Sequence, residues 1–182
     1  MTTTTPTLPV AGTWNLDTSH TNVEATVRHL MVTKVRVGFT ALEGTVEIAE
    51  PVTDSSIDVT IQAASITSGD LKRDGHLKSE DFLDVEKFPT LRFVSTSITA
   101  KGDDYALVGE LTIKDVSAPL TLELSFAGVA TDPWGAAHAA FEATGEFNRD
   151  DFGIIWNQTL EAGGVLISKT IKLQLDVQLV QS

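Results

Sequence analysis

Along most of its length this chain alternates apolar and polar residues one by one, and that period suits half-buried β-strands. Val23, Ala25, Val27 and His29 share one parity, while Glu24, Thr26 and Arg28 take the other. The same pattern runs through 42–48, 57–61, 91–95, 105–113, 120–126, 137–147 and 171–179. Turn signals separate the runs: Pro51, Gly102-Asp103-Asp104, Asp115–Pro119, Asp132-Pro133 and Gly163-Gly164. Roughly eight strands follow, most joined as hairpins. An antiparallel sheet with one apolar face closes on itself or stacks on a second sheet. Long strands and hairpin links favour closure, so the expected fold class is all-β with a short helical insert, an eight-stranded antiparallel barrel. Such a barrel has room inside for side chains or for one small ligand. Ala25, Gly44, Gly109, Ala137, Ala139 and Ala143 fall on the apolar parity, where they either leave space or offset bulky neighbours.

One stretch breaks the alternation. Residues 69–93, GDLKRDGHLKSEDFLDVEKFPTLRF, set dense charge around Leu71, Leu77, Phe82, Leu83, Val85 and Phe88. This reads as amphipathic helical segments ending before Phe88, because the residue ahead of Pro89 is biased to extended backbone. Leu71, Leu77, Phe82 and Phe88 are then expected to face the barrel. The insert either plugs one end of a filled core or covers an apolar pocket; periodicity is compatible with both.

The composition excludes several functions. A net charge of −12 opposes broad electrostatic binding to nucleic acid or to anionic membranes, which needs a basic surface. The absence of cysteine removes disulfides, thiolate metal sites and cysteine nucleophiles. No apolar run approaches the ~20 residues of a membrane helix, so stable membrane insertion by a helix is not expected. The opening MTTTTPTLPVAG lacks the basic and apolar regions of a secretory signal, which points to a cytoplasmic protein. Residues 1–11 are expected to form a flexible tail and 12–182 a single domain.

Candidate chemistry is sparse. His29 lies on the inward parity, either as a hydrogen-bonded core residue or as a functional one. His20 sits in the turn SHTN, His76 in the insert, and His138 on a polar parity. Asp70, Asp74, His76 and Glu80 offer metal-ligand atoms, but Asp74 and His76 are two apart and do not share a helix face. With no zinc-type spacing present, no metal and no cofactor are expected. No GxSxG element appears, so hydrolase chemistry has no anchor. Arg149, in NRDDFG, ends an apolar strand and either pairs with Asp150 or Asp151 or meets an anionic head group.

Taken in order, these pieces resemble the YceI family of polyisoprenoid-binding, lipocalin-like bacterial proteins. The similarity runs from about residue 12 to 180. GTWNLDTSHTNVEATVRHLMVTKVRVGF resembles the family's opening, with Trp14, Asp17, His20, His29, Gly38 and Phe39 in place. RDGHLKSEDFLDVEKFPTLRF resembles its most specific block, through Asp74, His76, Leu77, Ser79, Phe82, Pro89 and Phe93. GELTIKDVSAPLTL and FNRDDFGI are similar to later elements. Leu83 stands where a second aromatic is common, which predicts a locally looser pore.

The resemblance implies a barrel whose apolar pore holds a polyisoprenoid, a quinone or another long-chain amphiphile, often in a homodimer. It makes this chain a non-enzymatic carrier or sequestering protein. The expected ligand-binding wall is Trp14, His29, Phe39, Phe93, Phe141 and Phe152, lidded by Leu77, Phe82 and Phe88. Arg149 and His76 are the expected head-group contacts. Two alternatives use the same cavity: an enzyme with His29 as base acting on a small amphiphile, and a broad scavenger of hydrophobic compounds.

Overall fold

The computed structural model describes residues 7–182. Eleven strands form one closed sheet: β1 (Gly12–Leu16), β2 (Asn22–His29), β3 (Thr33–Phe39), β4 (Leu42–Ile48), β5 (Ser56–Gln62), β6 (Ile66–Thr67), β7 (Thr90–Lys101), β8 (Asp104–Ile113), β9 (Val116–Thr131), β10 (Ala137–Asn148) and β11 (Thr170–Gln181). One α-helix, α1 (Leu71–Lys78), precedes β7. The expected tail at 1–11 lies partly outside the described residues. From Thr7 onward the segment is docked: Pro9 is buried, and the Val10 carbonyl accepts from Trp14 Nε1 at 3.1 Å.

Eleven strands make an eight-stranded antiparallel barrel because three of the eight positions are each shared by two strands. One edge of β11 pairs with β1 near Leu179 and with β2 near Leu173. Next in the wall, β4 continues β3 through Thr40-Ala41, pairing with β1 and β2 respectively. β5 and β6 share the third position, beside β4 and β3. Then β7 to β11 pair in sequence and close the ring. The sequence shows fewer strands than the structure because breaks inside one wall position do not reset the parity enough to mark two strands.

The break between β1 and β2 is stitched by a polar network. Gln178 on β11 accepts from the Asp17 N–H at 2.8 Å and donates its Nε2 to Asp17 Oδ2 at 3.0 Å. The Ser19 hydroxyl, helped by His20, holds the Asp17 carboxyl down at about 2. A residue that accepts this many hydrogen bonds in its charged form stays ionised well into acid.

Inside, two apolar clusters form. One joins Leu107, Leu111, Leu120, Leu122 and Ala143 to Phe82, Leu83, Phe152 and Ile154 near α1. The other packs Trp14, Val46, Ile48, Ala139, Phe141 and Leu179 at the opposite end. The inward glycines serve packing, not empty space. A Cβ on Gly44 would sit 2.8 Å from Val59, and one on Gly109 would run into the Phe93 ring. Ala25 and Ala143, in contrast, border a void.

Gly109 therefore sets where Phe93 lies. Gly109→Val is expected to displace that ring and to destabilise the barrel by about 1–3 kcal/mol, read by denaturant unfolding. The crowding falls on an aromatic ring and on the Val94 carbonyl, so the neighbours cannot yield freely.

Candidate functional site

The barrel encloses a cavity of about 830 Å³. Its wall is aliphatic along the middle: Val23 and Ala25 on β2, Leu107 and Leu111 on β8, Leu122 and Leu124 on β9, Leu173 and Leu175 on β11. Each side chain is there because its strand parity turns it inward. Leu8 and Val52 border one end; His29, Asp70, Lys72, Arg73, His76 and Arg149 border the other. Asp70, Lys72 and Arg73 are exposed yet line the void, so it opens to solvent beside the first turn of α1.

The opening lies there for a topological reason. On its outer edge β3 pairs with β6 only at Gly38 and Phe39. The chain then leaves the sheet at Gly69, whose φ of 79° suits glycine, and starts α1. Val35 and Val37 of β3 border the cavity at this gap.

Side-chain hydrogen bonds pin α1 over the gap. Asp70 caps the helix, accepting from the Arg73 N–H at 2.9 Å. Asp74 is buried and accepts from the Ser68 N–H at 2.8 Å and the Ser68 hydroxyl at 2.5 Å. The hydroxyl, against the cost of burial, holds the Asp74 carboxyl below the usual carboxylate range. His76 Nε2 lies 2.9 Å from Asp81 Oδ2. The His76 ring stands edge-on to Phe82 at 4.9 Å and to Trp156 at 4.7 Å. Those contacts join the insert to the segment 153–169.

That second segment is organised by Arg149, which is 3% exposed. Its Nε donates to the Ser168 carbonyl (2.9 Å), its Nη1 to Ile154 and Trp156 (2.8 and 2.9 Å), and its Nη2 to Ile167 (3.4 Å). Both legs of the loop are thereby tied to one guanidinium. No carboxylate pairs with it among the described residues; Asp150 takes Lys169 instead, at 2.7 Å. Burial pushes the Arg149 pKa down while Asp150 opposes, and a guanidinium stays protonated throughout the useful pH range. The cavity thus ends at a permanent positive charge. The four bonds use four of the five guanidinium N–H donors, which leaves one on Nη2 uncommitted.

The structure gathers His29, Phe39, His76, Leu77, Phe82, Phe93, Phe141 and Arg149 around the cavity. Trp14, Phe88 and Phe152 lie outside its wall. Trp14 is wholly buried among Val46, Ile48, Ala139 and Leu179, behind the cavity's end. Phe152 turns edge-on to Phe147 at 5.3 Å, beneath the 153–169 segment. Phe88 is half-buried with the Lys87 ammonium 5.3 Å from its ring centre. Leu71, expected to face the barrel, is 92% exposed, because Asp70 starts the helix with that position outward. The helix is also shorter than the insert, which continues as turns from Ser79.

Ile154, Trp156, Leu166 and Ile167 also border the cavity and were not among the expected site residues. They belong to an irregular segment with no period to read, although Ile154-Ile155-Trp156 after a strand was an available signal. His29 has no carboxylate bonded to it among the described residues, so nothing orients it as a base. Asp70, Asp74 and His76 are each held by the contacts above, and no group of three or more metal-ligating side chains converges among the described residues.

The Asp74 latch carries a pH dependence. Its folded pKa lies below the unfolded value, so its contribution is present above the ordinary carboxylate range and is lost as pH falls through the folded pKa. Hydrogen exchange is expected to show α1 loosening before the barrel strands on acidification. Asp74→Ala should loosen α1 at neutral pH and abolish that dependence, even though alanine favours helix.

Comparison with known proteins places this geometry. The model of the YceI-like domain matches residues 14–179. The YceI protein of Escherichia coli strain UMN026 is 37% identical over 149 residues, 80% of this chain and 78% of that one. BcnA of Burkholderia cenocepacia shares the fold with a TM-score of 0.77 at 20% identity, covering 90% of this chain and 98% of BcnA. A polyisoprenoid binding domain from Saccharophagus degradans superposes with a TM-score of 0.67 at 12% identity, covering 93% and 98%. With the domain matched from Trp14 to Leu179 and the barrel reproduced, the chain belongs to the YceI-like family.

Proposed function

We propose that this barrel binds an isoprenoid-type amphiphile in its cavity and carries or sequesters it, without chemical conversion. The observation that carries this reading is the cavity itself: aliphatic in the middle, with its charged lining residues gathered at Arg149 and the first turn of α1, beside His76. Its volume, about 830 Å³, stands toward the upper end of the ~300–1,000 Å³ typical of small-molecule sites. The strands around it run far: β10 and β11 have 12 residues each, or about 40 Å. A long, thin, apolar chain fits that shape better than a compact metabolite does.

Burial of such a chain contributes roughly 0.8 kcal/mol per CH₂, offset in part by the loss of its freedom. The wall therefore supplies affinity with little selectivity along the tail. Selectivity falls to chain length and to the head group. There Arg149 offers a buried positive charge, and His76, held by Asp81, offers an aromatic edge and a ring nitrogen. A carbonyl or phosphate oxygen on the head group suits that end; a quinone and a polyprenyl phosphate both meet the requirement. The polyisoprenoid binding domain from Saccharophagus degradans, which shares the fold, supports the same ligand class.

Native mass spectrometry of protein purified without detergent, followed by lipid extraction, tests the reading. A prenyl lipid bound one to one is the expected result; a protein that takes up no prenyl chain when offered one overturns it. Ala143 lies midway along β10 and borders the void, so Ala143→Phe is expected to fill it. The substitution should weaken prenyl binding by roughly tenfold or more while the melting temperature holds or rises. Uptake of unrelated apolar compounds as tight as that of prenyl chains would favour the broad scavenger.

A further inference from the structure

The cavity reaches both ends of the barrel, and the two ends are chemically unlike. Its charged lining residues, Asp70, Lys72, Arg73 and Arg149, all stand at the end where α1 begins. The other end is bordered by Val52, Ser55, Ile57, Ile98 and Tyr105, and no charged residue lines it there among the described residues. An amphiphile with one polar head and one apolar tail then has a single favourable orientation. Its head needs polar partners when buried, and its tail does not. The head lies by Arg149, and the tip of the tail lies at the far end.

What ends the cavity there comes from outside the sheet. Leu8 precedes β1 and belongs to no strand, yet its side chain borders the void and is 39% exposed. It therefore stands between the cavity and solvent. Val52 meets the same end from the 3-10 turn Val52–Asp54 that joins β4 to β5. Neither residue is placed by strand parity, so each can change without altering the inward face of any strand.

Leu8 is held in that place. Pro9 beside it is buried, and the Val10 carbonyl accepts from Trp14 Nε1 at 3.1 Å. Trp14 is itself wholly buried, so the anchor is part of the core. Pro9 also biases Leu8 to extended backbone, which restricts where its side chain can point. The distance from Leu8 to the head-group end follows from the strands. β7 and β11 each have 12 residues, which at ~3.3 Å per residue and a strand tilt of about 40° span roughly 30 Å of the barrel axis. Fully extended, geranylgeraniol is shorter than that span and solanesol is longer.

We infer that Leu8 is the residue that limits tail length: it ends the cavity opposite Arg149, so prenyl chains shorter than the barrel are enclosed whole and longer ones are not. The inference rests on the lipid-carrier reading and adds to it a residue that selects among prenyl chains. A tail that outruns the cavity either leaves its last units unburied, and forfeits their contribution, or displaces Leu8 from its place beside Pro9.

Binding of geranylgeraniol and of solanesol, each delivered from cyclodextrin to the full chain, tests it. Leu8→Gly is expected to raise the affinity for solanesol relative to geranylgeraniol by roughly tenfold, the effect of burying about two further CH₂ groups. Leu8→Trp is expected to shift the same ratio the other way. Melting temperatures close to that of the unaltered protein show that both variants fold. Val10→Ser, at a 61% exposed position that does not border the void, should leave the ratio unchanged. A second readout needs no ratio of affinities. The chain has no cysteine, so Leu8→Cys supplies a single thiol. Bound solanesol is expected to shield that thiol from a maleimide several-fold better than bound geranylgeraniol does. The end stop alone is overturned if both prenols bind and neither Leu8→Gly nor Leu8→Trp moves their ratio, or if the two prenols shield the thiol equally. Uptake of neither prenol overturns the carrier reading, and the end stop with it.

Discussion

Closure of the sheet at β11 is the constraint on which everything else depends. β11 holds β10 on one edge and both β1 and β2 on the other, so the ring shuts with no free edge along most of its length. Once shut, the inward parity of every strand faces every other. The interior must then be apolar, and its width is set by strand number more than by side-chain volume. An eight-stranded ring leaves a central space that the inward side chains of this chain do not fill.

The ring also explains why the chemistry sits at one end. Among the described residues the wall is open beside β6 and along β3 beyond it, and that gap is where the charged insert and the 153–169 segment converge. Arg149 is the device that makes the second segment possible. A loop folded over a barrel mouth has carbonyls pointing inward with no strand to satisfy them. A buried guanidinium with five N–H donors answers four of those carbonyls at once. The same geometry that satisfies the loop leaves a positive charge at the head of an apolar space, so the structural role of Arg149 and the recognition role proposed for it share one cause.

The wall was legible in the sequence because strand parity reports burial directly. His29, Phe93 and Phe141 were placed inward by counting alone, Phe39 through the family resemblance, and all four border the cavity. Parity does not distinguish facing the void from facing a plug. Trp14 points inward yet is sealed behind Val46 and Leu179. The insert was legible as an anomaly, but Leu71 was misplaced because one capping carboxylate, Asp70, fixes the helix phase. The 153–169 segment was opaque for a different reason. Its conformation comes from long-range hydrogen bonds to Arg149 and from aromatic contact with His76, and neither leaves a period. The small residues split between both readings: Gly44 and Gly109 yield to neighbours, whereas Ala25 and Ala143 border space.

A hollow core still has to be stable, and the arrangement of the two apolar clusters shows how. Side chains facing a void forfeit part of their dispersion contact, so the middle of the barrel adds less than its apolar area suggests. The two ends make up for it. Trp14 with Ala139 and Leu179 packs densely at one, and Phe82, Leu83, Phe152 and Ile154 do so at the other. Between them the backbone ladder keeps the wall in shape whether or not the interior is occupied. A chain entering that space restores the missing contacts and stabilises the folded state by mass action. Density at the two ends and emptiness in the middle favour a barrel that is stable when empty and more stable when loaded, as the proposed uptake and release of a lipid would require.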